Sequence, residues 1–132
     1  MDLVAGVDEV GRGPLAGPVI AAAVILDPNN NISGLTDSKA LSKNKRQSLA
    51  EIVLLKAMAV GIGRSDPDEI DDCNILQASL RAMLRAIESL PYRPSSVLID
   101  GNHSPECELN IKTIVKGDLS IPAISAASIV AK

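Results

Sequence analysis

Two apolar runs near the N-terminus, Leu3 to Val7 (LVAGV) and Pro18 to Leu26 (PVIAAAVIL), constrain the fold of this chain more than any other feature. Each has the length of a strand, is built from small and β-branched residues, and is bounded by glycine, proline or acidic residues. The stretch between them, DEVGRGPLAG, is dense in turn formers and predicts that the two strands meet as a hairpin. The first strand ends in adjacent acids, Asp8 and Glu9, an unusual way to leave a hydrophobic segment.

Composition narrows what can be built around that hairpin. The chain has 132 residues, enough for one domain with a real core, so residues 1–132 are read as one unit. It has no Phe, no Trp and a single Tyr, Tyr92, so the core must come from Val, Ile, Leu, Ala and Met. The same scarcity denies it an aromatic platform for stacking single-stranded bases. A net charge of −3 rules out a large basic footprint, so any contact with nucleic acid must be local or assisted by a metal. Cys73 and Cys107 lack the neighbours of a zinc site and are too few for a disulfide framework, which predicts free thiols. No membrane span and no signal peptide are evident, and the expectation is a cytoplasmic monomer.

The remaining elements follow from periodicity and punctuation. Asp27 to Gly34 (DPNNNISG) is a loop, and Ser42 caps a helix running to about Lys56, with Leu49, Ile52 and Val53 inward. Ala57 to Gly63 is a third strand. Asp66, Pro67 and Glu69 occupy the N-cap, N1 and N3 positions of a short helix over Pro67 to Asp72. From Asn74, apolar positions at Leu76, Leu80, Met83, Ile87 and Leu90 define one face of a longer helix, ended by Pro91 and Pro94. Ser95 to Asp100 and Asn110 to Val115 are the fourth and fifth strands. Pro122 to Lys132 is a helix with a small-residue face, able to pack close to a sheet. The fold class is therefore α/β, a mixed five-stranded sheet flanked by helices. The sequence stops inside a helical pattern without a capping glycine, which reads as part of a longer protein.

The chemistry concentrates at strand ends. Asp8 and Glu9 close the first strand and Asp100, followed by Gly101 and Asn102, closes the fourth. Acids at neighbouring strand ends can converge on one point, where they repel unless a cation lies between them. An oxygen-only donor set suits Mg²⁺ or Mn²⁺, and a pair of such ions can activate water against a phosphodiester. Spacing alone leaves open whether the acids hold metal or merely end strands. Gly11, Arg12 and Gly13 let a backbone come close to a substrate and offer a guanidinium to phosphate, or form an ordinary turn. Gly11 to Ala16 also fits the dinucleotide fingerprint, but the prolines and the strand that follow exclude the helix it must open. No P-loop and no nucleophile elbow occur. Lys39 can meet a phosphate as a point charge or be a solvated loop lysine. The five acids between Asp66 and Asp72 are read as complementing a helix dipole, and Lys116-Gly117-Asp118 as a turn with no chemistry required.

Six segments, GVDEVGRGPLAGPV, DSKALS, DEIDDCNIL, VLIDGN, VKGD and IPAISAASIVAK, resemble in order and spacing the signature segments of bacterial ribonuclease HII. The resemblance covers essentially the whole chain. It implies an RNase H-like fold and endonucleolytic cleavage of RNA in RNA–DNA hybrids and at single ribonucleotides in duplex DNA, leaving 5′-phosphate and 3′-hydroxyl ends. By the same resemblance Asp8, Glu9 and Asp100 are metal-binding, catalytic carboxylates for Mn²⁺ or Mg²⁺. Gly11, Arg12 and Gly13 read the 2′-hydroxyl at the RNA–DNA junction, and Lys39 contacts phosphate. The resemblance further places a fourth carboxylate, a stacking tyrosine and a basic C-terminal portion beyond Lys132. Without them the chain is either a weakened nuclease or an inactive fragment that binds nucleic acid or metal without cutting.

Overall fold

A computed structural model describes residues 3–11, 17–36 and 42–132. Strands β1 (Val4–Val10), β2 (Val19–Ile25), β3 (Ala59–Ser65), β4 (Ser96–Asp100) and β5 (Asn110–Ile114) form one sheet in the order β3-β2-β1-β4-β5. The helices are α1 (Lys43–Lys56), α2 (Pro67–Cys73), α3 (Ile75–Glu88), α4 (Gly117–Ser120) and α5 (Pro122–Ala131). β1 and β2 are antiparallel neighbours, as the expected hairpin requires, and β2 pairs antiparallel with β3. On its other side β1 pairs parallel with β4, and β4 with β5. The sheet is therefore mixed, and β1 is its central strand.

Both faces of the sheet are covered. Strand alternation sends Ala5 and Val7 of β1, Ala21 and Ala23 of β2, and Val97 and Ile99 of β4 into one core with Ala82, Met83, Ala86 and Ile87 of α3. The opposite core joins Ala22 and Val24 of β2 to Leu49 and Val53 of α1 and Ala126, Ala127 and Ile129 of α5. With little aromatic volume, these cores close by bringing backbones together. A Cβ on Gly6 would overlap the backbone of Ala123 and Ile124, so α5 lies directly on β1, the close packing expected of its small-residue face. A Cβ on Gly61 or Gly63 would overlap carbonyls of Ala86 or Ala82 on α3.

That close approach explains where the helices differ from expectation. The buried face of α3 is centred on Ala78, Ala82 and Ala86 with Met83 and Ile87, because the alanines fit over Gly61 and Gly63; Leu76 and Leu80 are pushed to half-burial at its edge. On α1, Leu49 and Val53 point inward, but Ile52 remains 38% exposed. Ser42 caps α1 as expected, its hydroxyl accepting from the Lys45 N–H at 3.3 Å. Asp66 sits at the N-cap of α2 without making a side-chain cap, and pairs instead with Arg64. Glu69 turns from the helix end to bind Arg85 and Arg81 of α3. The short helix α4 was not expected, since four residues are too few to show a period. No helix among the described residues is long and apolar enough to cross a membrane, and Cys73 and Cys107 are free thiols.

Candidate metal centre

The parallel pairing of β1 with β4 fixes the site. Val4 stands opposite Ser96, and the register continues through Val7 opposite Ile99. The next step places Asp8 beside Asp100 at the carboxyl ends of two adjacent strands, on the face covered by α5. Crevices at this end of parallel strands are the usual ligand sites of open α/β sheets. Beyond Asp100 the chain turns at Gly101, whose φ of 113° suits a residue without a side chain. Its N–H donates to the Ile114 carbonyl at 3.0 Å, tying the turn to the end of β5.

From β5 the chain reverses through Lys116, which adopts the left-handed conformation with φ 56°, and enters α4. The Gly117 N–H donates to Asp100 Oδ1 at 2.8 Å. One residue later Asp118 brings a third carboxylate. Carboxylate oxygens of Asp8, Asp100 and Asp118 all lie within 4.8 Å of one another. The supports are rigid: Ser125 of α5, fully buried, donates its hydroxyl to the Asp118 carbonyl, and the Ile121 N–H donates to the Gly117 carbonyl at 2.8 Å.

Asp118 is the residue that sequence reasoning missed. Its segment reads as a plain turn, and the family resemblance places a further acid past Lys132; a third carboxylate of the cluster lies inside the chain. The available signal was VKGD itself, an acid beside a glycine after a strand, the same grammar as Asp100-Gly101. Glu9 is not in the group of three. Alternation turns it toward the face of α3, yet at the strand's end its carboxyl stays within hydrogen-bonding influence of Asp8. Gly11 has φ 101°, and a Cβ there would overlap the Pro18 carbonyl, so its backbone demands glycine. Arg12, Gly13 and Lys39 lie outside the described residues.

The electrostatics of the cluster are those of acids crowded in a dry place. Asp8 is 5% exposed. Burial first, then the Glu9 carboxyl and the Asp100 charge, push its carboxyl up from 3.8 to about 8, against the Glu9 N–H that favours the charged form at 2.8 Å. A divalent cation would supply the charge that favours the ionised form of Asp8. The donor set, oxygens only, matches a hard ion and not zinc or copper.

A mixed sheet whose central parallel strands end in convergent carboxylates places the protein in the ribonuclease H class of α/β folds. The crystal structure of the ribonuclease H2 from Pyrococcus horikoshii OT3 superposes with a TM-score of 0.84 at 27% identity, over 98% of this chain and 70% of that one. The chain belongs to the ribonuclease HII family: the family model for ribonuclease HII matches residues 5–132. Ribonuclease HII of Vibrio campbellii is 58% identical over 130 residues, 98% of this chain and 61% of that protein. Ribonuclease HII of Idiomarina loihiensis is 56% identical over 98% of this chain and 70% of its own length. The chain thus spans about three-fifths to seven-tenths of the length of these relatives.

Proposed function

We propose that the chain is a metal-dependent endonuclease acting, as a cytoplasmic monomer, on the RNA strand of RNA–DNA hybrids and on single ribonucleotides in duplex DNA. The observation that carries this reading is the convergence of Asp8, Asp100 and Asp118 at the carboxyl ends of parallel strands. Family membership supports the same chemistry.

Mn²⁺ or Mg²⁺, when bound as a pair, supplies an activated water and neutralises charge on the leaving oxygen of an in-line displacement. The protein's own residues do the rest. Asp8 is fixed by the central strand, and Asp100 has one oxygen held by Gly117, so neither carboxylate must be ordered anew when a cation arrives. Glu9, next to Asp8, completes the acidic set from the other side of the strand end. Gly11, Arg12 and Gly13 are assigned to the 2′-hydroxyl, the group that distinguishes a ribonucleotide from a deoxyribonucleotide. Lys39 is assigned to a phosphate.

The test is a nicking assay with this chain, Mn²⁺ or Mg²⁺, and duplex DNA containing one ribonucleotide. The expected outcome is one cut at the ribonucleotide, leaving 5′-phosphate and 3′-hydroxyl ends, and no cut in all-DNA duplex. Absence of nicking with protein in excess and either metal present would overturn the catalytic reading and leave a chain that only binds. Arg12→Ala is expected to cut with weaker discrimination between the two sugars; unchanged discrimination would remove the junction-reading role.

A further inference from the structure

The cations of this acidic chain are not spread evenly. Between Ser38 and Ala50 the sequence holds Lys39, Lys43, Lys45 and Arg46 and no acid, although the net charge is −3. In the structure Lys43, Arg46 and Gln47 of α1 meet Lys132, just past α5, around a cleft of about 440 Å³ that is completed by Ala50 and Ile129. Arg46 is half-buried there, while Lys43 and Lys132 are exposed. None of the three cations takes part in an ion pair among the described residues. Arg81 and Arg85 on the other side of the sheet both do, as does Arg64 at the end of β3.

The position matters as much as the charge. α5 carries Ser125, which holds Asp118, and from Ser125 to Lys132 the helix rises ~10 Å. That is about three base-pair steps at 3.4 Å each along one strand. The cleft therefore lies on the face of the sheet that bears the acids, within reach of the same duplex. The cleft sets Lys43 and Arg46, one turn apart on α1, against Lys132 past the end of α5, around a floor of Ala50 and Ile129 that their aliphatic stems can cover. It lacks the convergent buried donors that would enclose a small anion. That arrangement suits a run of phosphates read without regard to sequence.

We propose that the α1–α5 cleft seats the sugar–phosphate backbone of the nucleic acid whose scissile bond lies at Asp8, Asp100 and Asp118; this rests on the nuclease reading above. Lys43, Arg46 and Lys132 each neutralise a phosphate, supplying affinity and orientation and leaving recognition of the ribose to the site itself.

The experiment measures binding of the 132-residue chain to a short RNA–DNA hybrid as salt rises from about 50 to 200 mM, with Ca²⁺ replacing the catalytic ion to prevent cutting. For the triple variant Lys43→Gln, Arg46→Gln, Lys132→Gln the slope of log affinity against log salt should fall in magnitude by about 2 to 3, close to one for each lost contact. Affinity at the lower salt should drop about tenfold or more. A control, Lys56→Gln, Arg93→Gln, Lys112→Gln, removes as many charges elsewhere and should keep the parent slope. Mn²⁺ binding at the acids should be equal in all three proteins. Arg46→Gln alone, expected to cost about one unit of slope, covers the case in which the triple variant does not fold. An unchanged slope in the cleft variants, or an equal loss in the control, overturns the proposal while the nuclease reading stands. Failure of the parent itself to bind the hybrid overturns both.

Discussion

Asp8 at the end of β1 and Glu69 on α2 are both carboxylates beside other charged groups, and the fold drives them in opposite directions. Burial, then Glu9 and Asp100, raise the Asp8 carboxyl to about 8. Arg85 above all, with help from Arg81 and Ser65, lowers Glu69 to about 2. Glu69 is half-buried, its side chain 21% exposed, and carries its own counterions, two arginines one turn apart on α3, so its charge is an attachment point for α2. Asp8 is ordered by strand pairing into a place where its own charge is unfavourable. An acid held against its electrostatic preference by a rigid scaffold marks a functional position. An acid satisfied by arginines marks a structural one.

The largest effect should come from breaking the first region. Asp8→Asn is expected to abolish nicking and to weaken Mn²⁺ binding by more than the ~10–100-fold typical of disturbing an outer partner. The same substitution should stabilise the protein in chelator. A folded-state carboxyl near 8 keeps a proton that the unfolded chain gives up near 3.8, so stability of the metal-free protein falls as pH rises through that window. Asparagine removes the fall. Thermal melts in chelator should show the variant about 5–10 °C above the parent at pH 8 and level with it at pH 4. A variant that melts below its parent at pH 8 would contradict the electrostatic account. Asp118→Asn should reduce Mn²⁺ affinity comparably, and unchanged affinity would remove Asp118 from the centre.

How much of this was legible without the structure depends on what each feature rests on. Strands announced themselves because PVIAAAVIL and SSVLID are short, apolar and punctuated. Helices α1 and α2 were marked by Ser42 and by Asp66-Pro67, and α5 by its run of alanines and serines. Asp8 and Asp100 were legible because each ends an apolar strand. Their contact was not, since it depends on a parallel register between strands some ninety residues apart. Asp118 lies within VKGD without a legible role, because a four-residue helix after a turn has no period and its acid ends no strand. The inward face of α3 was misjudged for a related reason. Leucine spacing predicts a stripe, but the stripe that wins is the one whose alanines can sit on Gly61 and Gly63, a pairing between elements that periodicity within one helix cannot reveal.

Gly117→Ala tests the joint between scaffold and site. A Cβ there would stand 2.6 Å from Ile124 Cδ1, a fully buried side chain, with Ile114 also close. Relief by shifting the turn would move both the N–H that holds Asp100 and the carboxylate of Asp118. Overpacking of this kind costs about 1–3 kcal/mol, and Mn²⁺ affinity should fall about tenfold. Titration of Mn²⁺ into the folded variant decides the matter: an unchanged affinity alongside a lowered melting temperature would make Gly117 a packing residue only.

The smallest effect is reserved for the second region. Glu69→Gln removes the charge that faces Arg81 and Arg85 but leaves an amide oxygen to accept from them, so the melting temperature should drop less than in Gly117→Ala and recover in high salt. Because the Glu69 carboxyl is lowered from 4.5 to about 2, its contribution is complete above the unfolded value and disappears as pH falls through that interval. Parent and variant melting curves should therefore differ at pH 7 and converge toward pH 2. Mn²⁺ affinity and nicking should not change. A loss of either would mean that α2 is coupled to the metal centre through α3 and the sheet, and that the two acids are not as separate in purpose as their opposite titrations imply.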